Sequence, residues 1–359
     1  MTTRVLIVLT STQRRGAEIE GSQLAVELDM LALPASVVAL SPGPGAGAGA
    51  GRLDLSVLGE RPLSVGGLRE LRRIARTVDV VLAFGSSALP ACALALLGTR
   101  TPFVYRSIGD PARWVRGRWH RRRTGLLFRR AAHVVALWPA AADTIGRLYG
   151  VRPDSISCIP NARPSVVDGT ITAAAARGAL ELPAHETVVA WVGAYSAEKR
   201  PTAAIEAVAD VPGAWLLMAG AGPLADEVAA AAARLQPGRH RLSGPVDDLS
   251  SVWAAADVVL LTSATEGMPG VLLEASLHGV PAVATDVGAV GEVVVDGQTG
   301  RLVGAAATPA VVAAALTEAV AHSSEWGSAA RAHAVALFTW PTVAPAWAAL
   351  LTEVGSRVR

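Results

Sequence analysis

Twice along its length the chain repeats one rhythm: a short run of β-branched and aliphatic residues, then a longer Ala/Leu/Arg stretch of helical character. The runs are continuous, not alternating. A strand with one wet face alternates apolar and polar residues. A strand apolar throughout must be covered on both faces, and a parallel sheet flanked by helices supplies that cover. In the first half the runs are RVLIVLT (4–10), SVVAL (36–40), DVVLAF (79–84), TPFVYR (101–106), HVVAL (133–137) and ISCIP (156–160). In the second they are VVAWVG (188–193), AWLLMAG (214–220), HRLSG (240–244), DVVLLTS (257–263) and PAVATD (281–286). The expectation is an α/β chain of two doubly wound, Rossmann-like domains in tandem.

Pro and Gly interrupt the pattern at NARPSVVDGT (161–170), which sets an N-terminal domain at 1–163 and a C-terminal domain at 164–337. A last helical pattern, FTWPTVAPAWAALLTEV (338–354), would cap either one. The stretch SPGPGAGAGAGR (41–52) reads as a flexible loop of the first domain. Charge separates the halves: residues 1–160 carry 21 Lys+Arg against 11 Asp+Glu, the remainder 11 against 19. The first half would therefore attract an anion or an anionic surface.

Other classes are excluded. At 51% hydrophobic and 17% charged, the chain can build sizeable cores and is not disordered. Its two cysteines, Cys92 and Cys158, have neither disulfide-framework nor zinc spacing, and both read as small buried hydrophobes in a reducing compartment. The opening apolar run is too short for an export signal, and the Ala-rich runs are broken by Gly, Pro and charges. A cytoplasmic protein is expected.

In open α/β sheets, ligands bind beyond the carboxyl ends of strands. VVAWVG runs into AYSAEKRP, which puts Gly193, Lys199 and Arg200 just past a strand end. AWLLMAG runs into AGPL, HRLSG into PVDDL, and DVVLLTS into ATEGMPGVLLEA. Four strand ends of one domain thus converge on one edge, as a nucleotide site requires. Lys199 is the only lysine among 32 basic residues. Arginine serves everywhere else, so this position invites a local need for a compact, flexible ammonium.

The segment TEGMPGVLLE places Glu266 and Glu274 around a turn. Gly267 and Gly270, flanking Met268 and Pro269, let the backbone approach a ligand. Pro269 suits a first helical turn. The N–H groups of Gly270, Val271 and Leu272 would form a helix start able to hold a diphosphate, with Glu274 one turn further. Carboxylates are pure acceptors, so the two can hold vicinal sugar hydroxyls, while Lys199 and Arg200 neutralise phosphates. Taken alone, Glu266 reads as a solvated loop acid; with Glu274 and the helix start beside it, the ligand reading takes precedence.

The order G-x(5)-K, G-x-G-P, E-x7-E and GVPAVATDVGAVGEVVVDGQTGRLV resembles the retaining glycosyltransferases of family 4, which have the GT-B fold of two domains facing a central cleft. The likeness covers most of the chain. It is strongest over 189–303 and weaker over 14–28 and 151–164. It implies that Glu266 contacts the donor sugar and that Glu274 binds the nucleotide ribose. Lys199 would bind the donor phosphates and stabilise leaving-group charge, so Glu266 and Lys199 are the catalytic pair. Pro245 and Val246 would hold the base through backbone groups, and the loop at Arg15 and Gly16 would face the diphosphate from the first domain. The last helix, 338–359, would pack back on that domain.

Two departures from the family pattern stand out. Ala194 occupies a place where the family often has arginine, for which Arg200 could substitute. VYRSIGDP lacks the usual acceptor-side histidine, which leaves Arg106 or Asp110 to position the acceptor. No DxD motif stands in a suitable loop, since the pair at 247–248 lacks the spacing, so transfer is expected to need neither metal nor cofactor. The co-substrate implied is a UDP- or GDP-linked sugar. Two other readings keep the fold: a GT-B epimerase-hydrolase that uses water, and a non-catalytic partner subunit.

ARWVRGRWHRRRTGLLFRRAAH (112–133) carries eight arginines, no acid and interleaved Trp and Leu. It reads as a solvated basic face, as a patch for an anionic membrane surface or lipid-linked acceptor, or as a site for a phosphorylated soluble acceptor. No fold signal for nucleic-acid binding accompanies it. His278 reads as structural, and Trp340 and Trp347 as packing residues. Asn161 and Arg163 lie in the hinge, touching either ligand or linker.

Overall fold

The computed structural model describes residues 2–43, 51–112, 117–165, 170–246 and 248–357. The middle of the Gly-rich stretch 41–52, Trp114 with Arg113 and Arg116, the centre of 161–170, and Asp247 lie outside the described residues. The chain forms two compact units: Met1–Ala162 with Trp340–Arg359, and Arg163–Thr339. Each is built on one parallel sheet.

The first unit's strands are β1 (Val5–Ser11), β2 (Ala35–Ser41), β3 (Ser56–Val57), β4 (Val80–Phe84), β5 (Phe103–Arg106), β6 (His133–Ala136) and β7 (Ile156–Cys158). Their order is β3-β2-β1-β4-β5-β6-β7. Register is set early: Val5 pairs with Ala35 on one side and Val80 on the other. The central strands are buried on both faces, as their unbroken apolar runs require. Full burial of one such Leu or Ile is worth about 1.5–3 kcal/mol. Helix Trp340–Ser356 completes this core, placing Trp340, Trp347 and Leu351 among Val5, Ile7, Leu82 and Phe84. Trp347 stacks on Phe84, so the final tryptophans are packing residues.

The second unit's strands are β8 (Val188–Val192), β9 (Trp215–Ala219), β10 (His240–Leu242), β11 (Val258–Leu261), β12 (Ala282–Thr285) and β13 (Gly300–Val303). Their order is β10-β9-β8-β11-β12-β13. Strand order reverses between β8 and β11, and ligands bind in such sheets at that switch point. Val189, Trp191, Leu260 and Val283 form its core with helix residues such as Ile205 and Leu316.

Two strands leave little trace in the sequence. β3 is only two residues long and exposed. β13 is half polar and forms the edge of the sheet beside β12, so its apolar signal is weak. The cysteine expectation needs one correction. Cys92 is buried, and burial pushes its thiol up, but Cys158 is exposed because it ends the edge strand β7.

Candidate active site

In the second unit, Lys199 and Glu266 come from the loops after β8 and β11, the two strands at the switch point. Several bonds lock these loops together. Ala264 N–H donates to the Glu198 carbonyl (2.8 Å). Thr262 Oγ1, itself accepting from Trp191 Nε1 (3.1 Å), lies 3.0 Å from the Lys199 carbonyl oxygen and 2.9 Å from that of Arg200, and donates there. Arg200 adopts a left-handed conformation (φ 49°, ψ 56°) that turns the chain into helix Pro201–Ala209. Such strain persists only where surroundings over-determine it.

The locked loops present one contact. Lys199 Nζ donates to Glu266 Oε1 at 2.6 Å, and Ser263 Oγ donates to the same oxygen at 2.6 Å. Glu266 is only 8% exposed. Its backbone is held from the far side by Gly288, whose φ is +59°; a Cβ there would fall 2.1 Å from the Glu266 carbonyl oxygen. Glycine is therefore required at that approach. The adjoining Ala289 N–H donates to the Gly267 carbonyl (2.8 Å). Oε1 carries two charge-assisted bonds, which leaves Oε2 to accept from a ligand hydroxyl.

Glu274 lies one turn into helix Gly270–Leu277. Its Oε1 accepts from Arg163 Nε at 2.7 Å, with both side chains largely shielded. Here the helix start needs two corrections. Pro269 is the flanking cap, not a first-turn residue. Leu272 N–H already donates to the Pro269 carbonyl (3.2 Å), so the amides that remain for a ligand are those of Gly270 and Val271. His278 Nδ1 pairs with the Glu274 carbonyl (2.9 Å) at the helix end, a structural role. Met268 is buried beneath the turn.

The remaining donor-side expectations fall on the same sheet edge. Gly193 follows β8 and donates to the Ala219 carbonyl (3.1 Å). Val246 follows β10 and is 38% exposed. Arg200 Nη1 donates to the Ala305 carbonyl (2.5 Å), so its guanidinium is already engaged in bracing the loop after β13.

In the first unit, Arg15 caps helix Gly16–Met30, and both Arg15 and Gly16 are exposed beyond β1. Asp110 lies in the loop after β5, where its Oδ1 accepts from Ala112 N–H (2.9 Å). Arg106 is not at a surface. It is wholly buried, donates to the Ile159 carbonyl and to Asn161 Oδ1 (2.9 Å), and lies over the Trp347 ring at 5.2 Å. Burial pushes its guanidinium down to about 10, against the opposing pull of Glu20. An interior clamp of this kind cannot reach an acceptor. Sequence reasoning missed it because its partners lie some 55 residues away.

Reasoning from sequence also missed Ser263, Glu18 and the pairing of Arg163. Glu18 is buried beside Ser11, whose Oγ donates to it (3.4 Å), and burial raises its carboxyl above the usual range. Among the described residues no three His, Cys, Asp or Glu side chains group to hold a metal.

The model for Glycosyltransferase Family 4 matches residues 16–163, and that for Glycosyl transferases group 1 matches 186–322. The chain belongs to glycosyltransferase family 4. This family 4 chain is 38% identical over 144 residues to the D-inositol 3-phosphate glycosyltransferase of Mycobacterium tuberculosis, a match covering 36% of the chain and 28% of that protein. The Mycobacterium bovis protein of the same name gives the same figures. The match thus spans less than a third of the length of these curated relatives.

Among solved structures, Anabaena HepE in complex with UDP-glucose superposes with a TM-score of 0.82 at 21% identity, covering 98% of this chain and 100% of HepE. Sucrose-phosphate synthase from Thermosynechococcus elongatus gives 0.82 at 18% identity, covering 99% and 100%. These neighbours and the two parallel-sheet units identify the GT-B fold of the family.

Proposed function

We propose that the chain is a retaining glycosyltransferase that takes a UDP- or GDP-linked sugar and transfers the sugar to a hydroxyl acceptor. The carrying observation is the Lys199–Glu266 contact at the switch point, on the same sheet edge as the Gly270 helix start and Glu274. The bond from the sugar to the diphosphate breaks with its electron pair left on the phosphate oxygen, and positive character develops at the sugar carbon. The acceptor hydroxyl oxygen forms the new bond to that carbon, and its proton passes to the departing diphosphate. Lys199 and the Gly270 and Val271 amides stabilise the first charge. Glu266 orients the sugar through a hydroxyl and stabilises the second. In this reading the ammonium and the helix start do the work of a metal ion, and Glu274 accepts from the ribose. HepE, bound to UDP-glucose, supports uridine as the first base to try.

The test is a thermal-shift and calorimetric screen against nucleoside diphosphates and their sugars. A ligand at a hundred times its Kd stabilises by about 2.7 kcal/mol. A panel in which no nucleoside diphosphate shifts the midpoint overturns this reading.

One further observation bears on the acceptor. Helix Arg118–Phe128 exposes Trp119 (84%) and Leu126 (59%) among exposed Arg118, Arg121, Arg122 and Arg123. Basic side chains interleaved with Trp favour an anionic membrane surface or a lipid-linked acceptor, with the protein peripheral to the membrane. No helix among the described residues is long and apolar enough to cross a membrane. Co-sedimentation with liposomes, with and without anionic lipid and at low and high salt, tests this. Binding that ignores anionic lipid or salt removes it.

A further inference from the structure

Arg163 is the first residue of the second unit, and it does more than link two units. Its backbone N–H donates to the Phe338 carbonyl (2.8 Å), and it bridges Thr339, where the chain leaves the unit. That anchors its Cα. From there the side chain reaches the helix of Glu274, 111 residues away, and Nε donates to Oε1 at 2.7 Å. A second observation places the same guanidinium against the helix start. A Cβ on Gly270 would fall 1.8 Å from Arg163 Nη2. The guanidinium thus lies against the first residue of the helix, beside the amides proposed to take the diphosphate, and glycine makes the approach possible.

We propose that Arg163 is a donor-site positioning residue that fixes Glu274 for the ribose and supplies positive charge for the diphosphate. This rests on the donor reading given above. A carboxylate has about four acceptor positions on two oxygens. Arg163 occupies one on Oε1 and holds the carboxylate in one orientation, so Oε2 meets a ribose hydroxyl without further loss of rotamer freedom. Arginine suits both tasks, since its planar fork can donate to the carboxylate through one nitrogen and lie over the helix start with another. A lysine could supply the charge but not both contacts.

Calorimetric titration of wild type, Arg163→Gln and Arg163→Lys with UDP, GDP and their parent nucleosides tests the proposal, alongside unfolding midpoints. Arg163→Gln is expected to weaken the bound nucleoside diphosphate at least about tenfold, because a charge-assisted contact is lost. The parent nucleoside should weaken by a smaller factor, since only the ribose orientation is affected. Arg163→Lys should recover part of the diphosphate affinity and none of the nucleoside affinity. If Arg163→Gln does not fold, the Lys variant carries the same comparison. Unchanged or tighter diphosphate binding in a folded Gln variant overturns the proposal, as does an equal loss for nucleoside and diphosphate. Wild type binding neither diphosphate is a different failure, that of the donor reading itself.

Discussion

Lys199 Nζ and Glu266 Oε1 stand 2.6 Å apart, although 67 residues separate them in the chain. The pair joins the only lysine to a nearly buried carboxylate at the point where strand order reverses. Removing the ammonium takes away the charge proposed to stabilise the departing diphosphate. Lys199→Ala should cut transfer about 10²–10³-fold, the usual effect of losing one transition-state donor. Ser263 still satisfies Glu266, so the unfolding midpoint should fall by only a few degrees. Single-turnover assay and thermal unfolding, read together, check this; a folded variant with normal transfer rules out the assigned role.

Glu274 offers a second test. Hydrogen bonds to a charged group contribute about 1.5–3 kcal/mol, which corresponds to roughly tenfold to a hundredfold in affinity. Glu274→Gln should lose that much for the ribonucleoside diphosphate. The loss should shrink for a ligand whose ribose hydroxyls are removed, as calorimetry with 2′,3′-dideoxy analogues would show.

Gly288 makes the geometry of Glu266 sensitive to a residue outside the proposed donor-binding set. Its positive φ and the 2.1 Å clash awaiting a Cβ mean that Gly288→Ala must shift the Glu266 backbone. Destabilisation of about 1–3 kcal/mol is expected. Transfer should fall further than stability alone explains, measured as kcat on the fraction that remains folded.

Arg106 tests the first unit. Arg106→Ala would leave the Ile159 carbonyl and Asn161 Oδ1 without their shared donor and empty the space over Trp347. A loss of about 3–5 kcal/mol is expected in urea unfolding, typical of removing one member of a buried charged cluster. Affinity for the nucleotide should be unchanged in the protein that remains folded.

Glu18 predicts a pH dependence. Burial raises its folded-state carboxyl above the ordinary range, with Arg15 and Ser11 opposing. The protonated form is therefore favoured in the folded state. Its contribution to stability is full below about 4.5, the unfolded value, and is lost as pH rises through the folded value. Glu18→Gln, which mimics the protonated acid and keeps an acceptor for Ser11, should melt higher than wild type at pH 7. The gap should close toward pH 4, as paired thermal scans would show.

Much of the fold and part of the site are legible in residue order alone. The unbroken apolar runs announce parallel sheets because a central strand must find cover on both faces. Lys199, Glu266 and Glu274 stand out because each follows a strand that the runs locate. The misread positions share a cause. Arg106 reads as an acceptor-positioning residue because it ends a strand, yet its carbonyl partner and Trp347 reach it from distant segments. Arg163 reads as a hinge residue touching either ligand or linker, and its pairing with Glu274, 111 residues away, leaves no trace in residue order. Leu272 reads as a free amide because a single backbone bond to Pro269 cannot be seen in residue type.

The sequence by itself therefore determined the two parallel sheets, the strand ends that carry Lys199 and Glu266, and the residue types gathered there. These follow from local periodicity and from hydrophobic cover, which any segment carries with it. Only the tertiary structure decided which carboxylate meets which cation, and that Arg106 serves the interior. Ion pairs and buried hydrogen bonds depend on distances of a few ångströms between segments far apart in the chain, and no local pattern encodes them.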